Sequence, residues 1–299
     1  MAGLIECVPN FSEGRDQRVV DAIVSAIAGT PGVLLLAQES DTDHNRSVVT
    51  FAAEPAPVVE AAVRGVAEAV RHIDLAKHDG VHPRIGAADV IPFVPLQGSR
   101  LEDAIYAAHS AGREIWRRLN VPVYFYEAAA LRPEYRRLEM VRRGGFHALR
   151  QETASRPPDV GGPELHPAAG ACVVGARRFL IAFNIDLESD DLEAARAIAR
   201  AVRASSGGLP TVKAIGVPLP SRGIVQVSMN LTDYEIVGVY RAFEAVRSEA
   251  ARLGIGIGSS ELIGLIPRAA LQGGDPASLR FQDFGPHRVL ENRLEEAAR

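Results

Sequence analysis

Apolar and polar positions along the chain divide it into short strands and amphipathic helices. Residues 3–8 read as a short strand, and Ser12 stands before a segment with Val19, Val20, Ile23 and Ile27 at helical spacing, stopped by Gly29 and Pro31. VLLLA at 33–37 and SVVTFAA at 47–53 predict two strands, with the polar stretch QESDTDHNR between them as a surface loop. Pro55 and Pro57 suit the first turn of a helix whose stripe is Val58, Val59, Ala62, Val63, Val66, Ala69 and Val70. A strand near VIPFVP, a helix over about 101–119 and a strand in VPVYFYEAA follow.

The second half repeats that order. RFLIAFNIDL at 178–187 predicts a strand, and Ser189 with Glu193 brackets the start of a helix running through Ile198 and Val202 to Gly207-Gly208. TVKAIGVPL and GIVQVSMNLTD read as two strands joined by a turn at 220–223; a helix over 234–253 and a last strand in IGIGSSELIGLIP follow. Two successive strand–helix–strand–strand–helix–strand units place the protein in the α+β class, as two ferredoxin-like (βαββαβ) subdomains with helices on the outer faces. Each sheet then keeps an uncovered face, and two such faces brought together would enclose a tunnel. The Pro- and Gly-rich stretch 154–170 puts the join after it, giving subdomains 1–175 and 176–299.

Composition narrows the functions. With 299 residues, 47% hydrophobic and 23% charged, the chain has the make-up of a globular protein with a substantial core. A net charge of -4 offers no positive field for nucleic acid. No apolar run approaches the ~20 residues of a membrane span, and the first residues lack a basic segment followed by an apolar one, so a cytoplasmic location is expected. Cys7 and Cys172 stand far apart in the sequence, too few for a disulfide framework or a thiolate metal site, and are expected as reduced, buried thiols.

Chemistry concentrates in four places. Strand 223–232 alternates, with Gln226, Ser228, Asn230 and Thr232 on one side, and strand 179–187 puts Asn184 and Asp186 on the corresponding face. That face is either solvated or built to orient a planar hydrogen-bonding ligand, for which amides are suited. KHDGVHPRIGAAD holds His78 and His82 four apart, but Gly80 and Pro83 deny it the helix on which that spacing would present a zinc site. A loop with one His as general base and Arg84 as an anion clamp fits better. ESDTDHNRS gathers Glu39, Asp41, Asp43, His44, Asn45 and Arg46, without the glycine and distal Glu of a calcium loop. PDVGGPELHPAAG is neither a P-loop nor a dinucleotide fingerprint, yet supplies several backbone donors.

Taken together, LIECVPNFSEGRD, DTDHNRSVVTF, HDGVHPRIGAADVIPFVP, VPVYFYEAA, VGARRFLIAFNIDL, VKAIG and VQVSMNLTDYE resemble the formiminotransferase family, over about residues 4–271. The resemblance implies the fold above, a folate-filled tunnel, a homodimer, and transfer of a formimino group between N-formimino-L-glutamate and tetrahydrofolate, a one-carbon step of histidine degradation. It carries the catalytic histidine onto His82 and the folate-binding loop onto Gly161, Gly162, Pro163, Glu164, Leu165, His166, Pro167, Ala168, Ala169 and Gly170. Animal members have Asp where this chain has Glu39 and Gly where it has Asp41, so either acid is a candidate to position substrate. Animal members also continue into a cyclodeaminase domain, for which a chain ending at Arg299 leaves no room. From chemistry and facing, Arg46 and Arg84 are candidates for the substrate carboxylates, and Asn184, Gln226 and Asn230 for the pterin edge. Tetrahydrofolate is the expected co-substrate, with no metal. Formyl transfer from 5-formyl-tetrahydrofolate to glutamate, or a silent folate-binding protein, are the alternatives.

Overall fold

The computed structural model describes residues 3–42, 44–78 and 84–299, in two compact units, Met1–Arg177 and Arg178–Arg299. The first unit runs β1 (Ile5–Cys7), β2 (Asn10–Phe11), α1 (Gln17–Ala28), β3 (Leu34–Asp41), β4 (Arg46–Ala53), α2 (Pro55–His72), β5 (Ala88–Pro95), α3 (Leu101–Leu119), β6 (Val123–Glu127), α4 (Leu138–Val141), α5 (Gly145–Glu152) and β7 (Cys172–Ala176). β1 and β2 pair with both β4 and β5, antiparallel in each case, and β3 pairs with β4 at the edge. β7 and β6 extend the sheet in parallel beyond β5. Ile23, Ile27, Val58, Val66 and Ala108 from the helices pack with Ile5, Cys7, Phe51 and Phe93 from the strands into one core.

Several expectations for this unit are corrected. The predicted strand 3–8 is interrupted at Pro9, which has no N–H for the ladder, and resumes as β2. Ser12 does not begin a helix: its hydroxyl donates to the Gly86 carbonyl at 2.8 Å, and α1 starts five residues later, capped by Asp16 accepting from the Arg18 N–H. The polar stretch after Ala37 is not a loop as far as Asp41. It is paired strand, with Gln38, Glu39, Ser40 and Asp41 opposite Val49, Val48, Ser47 and Arg46, and an edge strand tolerates such polarity because one flank faces no other strand. CVVGA, with too few residues for a periodic signal, forms β7 between β5 and β6.

The second unit runs β8 (Ile181–Leu187), α6 (Leu192–Val202), β9 (Val212–Leu219), β10 (Ile224–Leu231), α7 (Val239–Arg252), β11 (Ile257–Ile263) and α8 (Leu290–Ala297). Its sheet is antiparallel, in the order β11-β8-β10-β9. Val225, Val227, Met229 and Leu231 meet Ile198, Phe243 and Val246 in its core. Asp191, not Ser189, caps α6, accepting from Glu193 N and Ala194 N at 2.9 and 3.1 Å. α7 begins after Gly238 rather than at Tyr234. Among the described residues no helix is long and apolar enough to cross a membrane.

Candidate functional site

Three strand ends of the first unit converge. Asn10 and Phe11 of β2 lie opposite Val48 and Ser47 of β4, and opposite Val90 and Ala88 of β5. Ser12 continues this contact, its N–H donating to the Ala87 carbonyl at 2.8 Å. Arg46 opens β4 and Asp89 stands at the head of β5, so Asn10, Ser12, Arg46, Arg84 and Asp89 line one small cavity. Asp89 is buried and held on both oxygens: Oδ1 accepts from the Ile85 N–H at 2.8 Å and Oδ2 from Arg142 Nη2 at 2.5 Å. Burial lowers the Arg46 guanidinium to about 10; the positive charges of Arg142 and Arg84 add to this, and Asp89 and Asp41 oppose it.

Arg84 is braced by backbone. Its Nη2 donates to the His44 carbonyl at 3.3 Å and its Nη1 to the Asn45 carbonyl at 3.4 Å, while Nη1 also lies against the His78 ring. Burial and the adjacent Arg84 charge hold His78 below the usual imidazole value. Asp41 and Glu39 share one side of β3, as alternate strand positions must. Asp41 is engaged by its neighbour, accepting from the His44 N–H at 2.8 Å and facing His44 Nδ1 at 2.6 Å. His82 and Asp43 lie outside the described residues. Among those described, no cluster of three or more His, Cys, Asp or Glu side chains is arranged to hold a metal.

The segment following His82 is stitched to the 161–170 loop. Ala87 N donates to the Ala169 carbonyl and Ala171 N to the Ile85 carbonyl, both at 2.9 Å, and Leu75 N to the Ala168 carbonyl at 2.9 Å. Within the loop His166 and Gly170 exchange both backbone hydrogen bonds at 2.9 Å, and Ala169 N donates to His166 Nδ1 at 2.9 Å. His166 Nδ1 is therefore an acceptor, and burial lowers the ring's affinity for a proton. Three loop donors, the N–H groups of His166, Ala169 and Gly170, are thus used internally. Gly161 and Gly170 have φ of 78° and 69°; a Cβ on Gly170 would come 2.1 Å from the Ile85 carbonyl oxygen.

On the second unit's sheet, Asn184, Gln226 and Asn230 do share the face away from the helices, but they are not equivalent. Gln226 is buried and donates to Asp186 Oδ1 at 2.9 Å, Asn184 approaches Glu261 at 3.4 Å, and Asn230 is exposed. Asp186 is the hub: its Oδ2 accepts from Arg222 at 2.6 Å and from Ser259 and Gln282 at 2.9 Å. The sequence reading missed Asn10, Ser12, Asp89 and Arg142. The first two lie within the VPNFSEGRD motif, whereas no local signal marks Arg142, since 53 positions separate it from Asp89.

The chain matches the formiminotransferase domain, N-terminal subdomain, over residues 4–177 and the formiminotransferase domain over residues 182–276. It is 42% identical to the glutamate formimidoyltransferase of Streptococcus pyogenes, covering 98% of this chain and 99% of that protein. To the glutamate formimidoyltransferase of Thermoplasma acidophilum it is 43% identical, covering 99% and 98%. It is also 43% identical to mouse formimidoyltransferase-cyclodeaminase, over 91% of this chain and 51% of that protein.

Proposed function

We infer from this chain's membership of the formiminotransferase family that it is a glutamate formimidoyltransferase, moving the formimino group between N-formimino-L-glutamate and tetrahydrofolate. The observation that carries this is identity above 40% along nearly the whole length of two proteins of that name. In this reading the chain works in one-carbon metabolism as a homodimer of two ferredoxin-like subdomains, 1–175 and 176–299. The strand order β11-β8-β10-β9, and β3-β4-β1-β5 within the first sheet, supports that topology.

His82 is the general base of the proposed mechanism. It takes the proton that leaves nitrogen 5 of tetrahydrofolate as that nitrogen bonds to the amidine carbon. It then gives a proton to the glutamate nitrogen as the old C–N bond breaks, so no covalent enzyme intermediate is needed. Arg46 and Arg84 bind substrate carboxylate by forked hydrogen bonds, Glu39 or Asp41 orients the amidine, and the 161–170 loop holds folate.

Supplied with formiminoglutamate and tetrahydrofolate, the purified chain should turn over in a spectrophotometric assay. Replacing His82 by Ala should lower kcat by roughly a hundred- to ten-thousand-fold with a smaller change in folate affinity. His78→Ala perturbs the same stretch without removing the base. Near-normal turnover in a folded His82 variant, or an equal loss in the His78 variant, would overturn the assignment.

A further inference from the structure

We propose that the open edge of β9 and an arginine stripe on α6 form a docking site for an acidic, extended polypeptide segment. The segment adds as a strand beside β9 and sets Asp or Glu side chains at alternate positions against Arg196, Arg200 and Arg203. The site belongs to the second unit alone and uses none of the residues assigned to transfer.

Among the described residues β9 pairs with β10 alone, which leaves one of its flanks open. The Thr211 carbonyl accepts from the Thr232 N–H at 2.8 Å, on the β10 side. Across the same peptide plane the Val212 N–H points the other way and donates to the Leu209 carbonyl at 3.4 Å. Register with β10 is unbroken from Val212 to Leu219, so the alternation continues along the strand. The N–H groups of Ala214 and Gly216 and the carbonyls of Val212, Ala214 and Gly216 therefore face the open flank, and Pro218, which has no N–H, ends the run. Such a row is completed by the backbone of an added strand.

α6 lies along this edge. A Cβ on Gly216 would come 2.5 Å from the Arg196 backbone nitrogen, whereas near the other end of the strand Leu209, which accepts from Val212, donates its N–H to the Val202 carbonyl at 2.9 Å. Helix and strand thus run in opposite directions, and residues 196, 200 and 203, at i, i+4 and i+7, form one stripe beside the open flank. With Ala199, Ile215 and Gly216 they line a groove of about 270 Å³. The core-facing side of the helix is taken by Ala195, Ile198, Ala199 and Val202, so the arginines are not needed for packing.

Charge selects the occupant. Arg196 meets Glu193 at 2.6 Å, an exposed pair screened by water, and Arg203 donates from Nε to the Ser206 hydroxyl at 2.8 Å. Arg200 makes no hydrogen bond or ion pair among the described residues. Three guanidiniums therefore line the groove, and only one of them is paired with a carboxylate. A second copy joined edge to edge through β9 about a two-fold axis would bring two such stripes together, and like charges repel. An acidic strand has the opposite sign and a matching repeat. Its alternate side chains are about 7 Å apart, while four helical residues rise about 6 Å and three about 4.5 Å.

The test is fluorescence anisotropy of the full chain with a labelled peptide of about eight residues alternating Thr and Glu. The native chain should bind it, and Arg200→Glu should weaken binding roughly tenfold or more while improving binding of the Thr–Lys counterpart. Two further peptides carry N-methyl groups on the Glu nitrogens or on the Thr nitrogens, which keeps the charge and removes one row of donors. One of the two should lose roughly tenfold or more, the Glu-methylated peptide for an antiparallel strand and the Thr-methylated one for a parallel strand. Bound peptide should also slow amide hydrogen exchange at Ala214 and Gly216. Arg200 is exposed, so the variant should keep the native melting temperature and transfer activity; should it fail to fold, Arg200→Gln takes its place. The proposal is overturned if the native chain does not bind the Thr–Glu peptide, or if the Arg200 variant binds it as tightly. Equal binding of the two methylated peptides would also overturn it, by showing a plain anion site rather than an added strand.

Discussion

Glu6 offers a measurement of how strongly the first sheet resists charge on its face away from the core. It lies in β1 between Ile5 and Cys7, whose side chains join the helix-facing core, so its carboxyl points to the opposite side, beside Ala52 and Val94. Only 2% of the residue is exposed, and burial raises the carboxyl from 4.5 to about 7 despite the opposing charge of Arg177. A raised value means that the folded state keeps a proton which the unfolded chain has released. The associated stability is complete below pH 4.5 and is lost as the pH climbs to 7. At about 1.4 kcal/mol per unit, the loss is roughly 3 kcal/mol once both states are ionised. Glu6→Gln keeps the shape and cannot ionise. It should therefore be more stable than the native chain by about 3 kcal/mol at pH 8 and by only about 1 kcal/mol at pH 5. Urea unfolding of both proteins at the two pH values measures this, because every other titration cancels in the difference. An advantage that does not grow with pH, or a Gln variant less stable at pH 8, would refute the reasoning.

Three further outcomes are expected. Asp186→Ala removes the acceptor for buried Gln226 and for Ser259 and Gln282, and should destabilise by about 3 kcal/mol in chemical unfolding; Arg222, 44% exposed, adds under about 1. A loss below about 1 kcal/mol would show that the network is not cooperative. Gly170→Ala forces a left-handed backbone and a Cβ against the Ile85 carbonyl, so it should lower stability by about 2 kcal/mol or more and raise KM for tetrahydrofolate. An unchanged melting temperature would contradict that. Dialysis against EDTA should leave turnover unaltered, and a loss restored by zinc or magnesium would overturn the metal-free mechanism.

Periodicity revealed the elements where burial is one-sided. α2 and α3 fall where their apolar stripes lie, and β10 alternates because Val225, Val227, Met229 and Leu231 enter the core while Gln226 and Asn230 do not. The reading failed where tertiary pairing replaced local pattern. β3 continues through Gln38–Asp41 because β4 supplies its hydrogen bonds, not because those side chains are apolar. β7 is five small, wholly buried residues between two strands and shows neither period. Ser12 looks like a cap by residue type, yet its hydroxyl serves the Gly86 carbonyl, 74 positions away.

The candidate site divides along the same line. Residue types announced a base, guanidiniums and amides, but whether they meet is a property of strand order. β1 and β2 run antiparallel to both β4 and β5, so the starts of β4 and β5 and the end of β2 must lie at one end of the sheet. That places Arg46, Asp89 and Asn10 around one cavity although they are spread over 79 positions of chain numbering, 10 to 89. Arg142 reaches Asp89 by a separate route, at the C-terminal cap of a four-residue helix too short to show a pattern, so no stretch of sequence around either residue announces the pair.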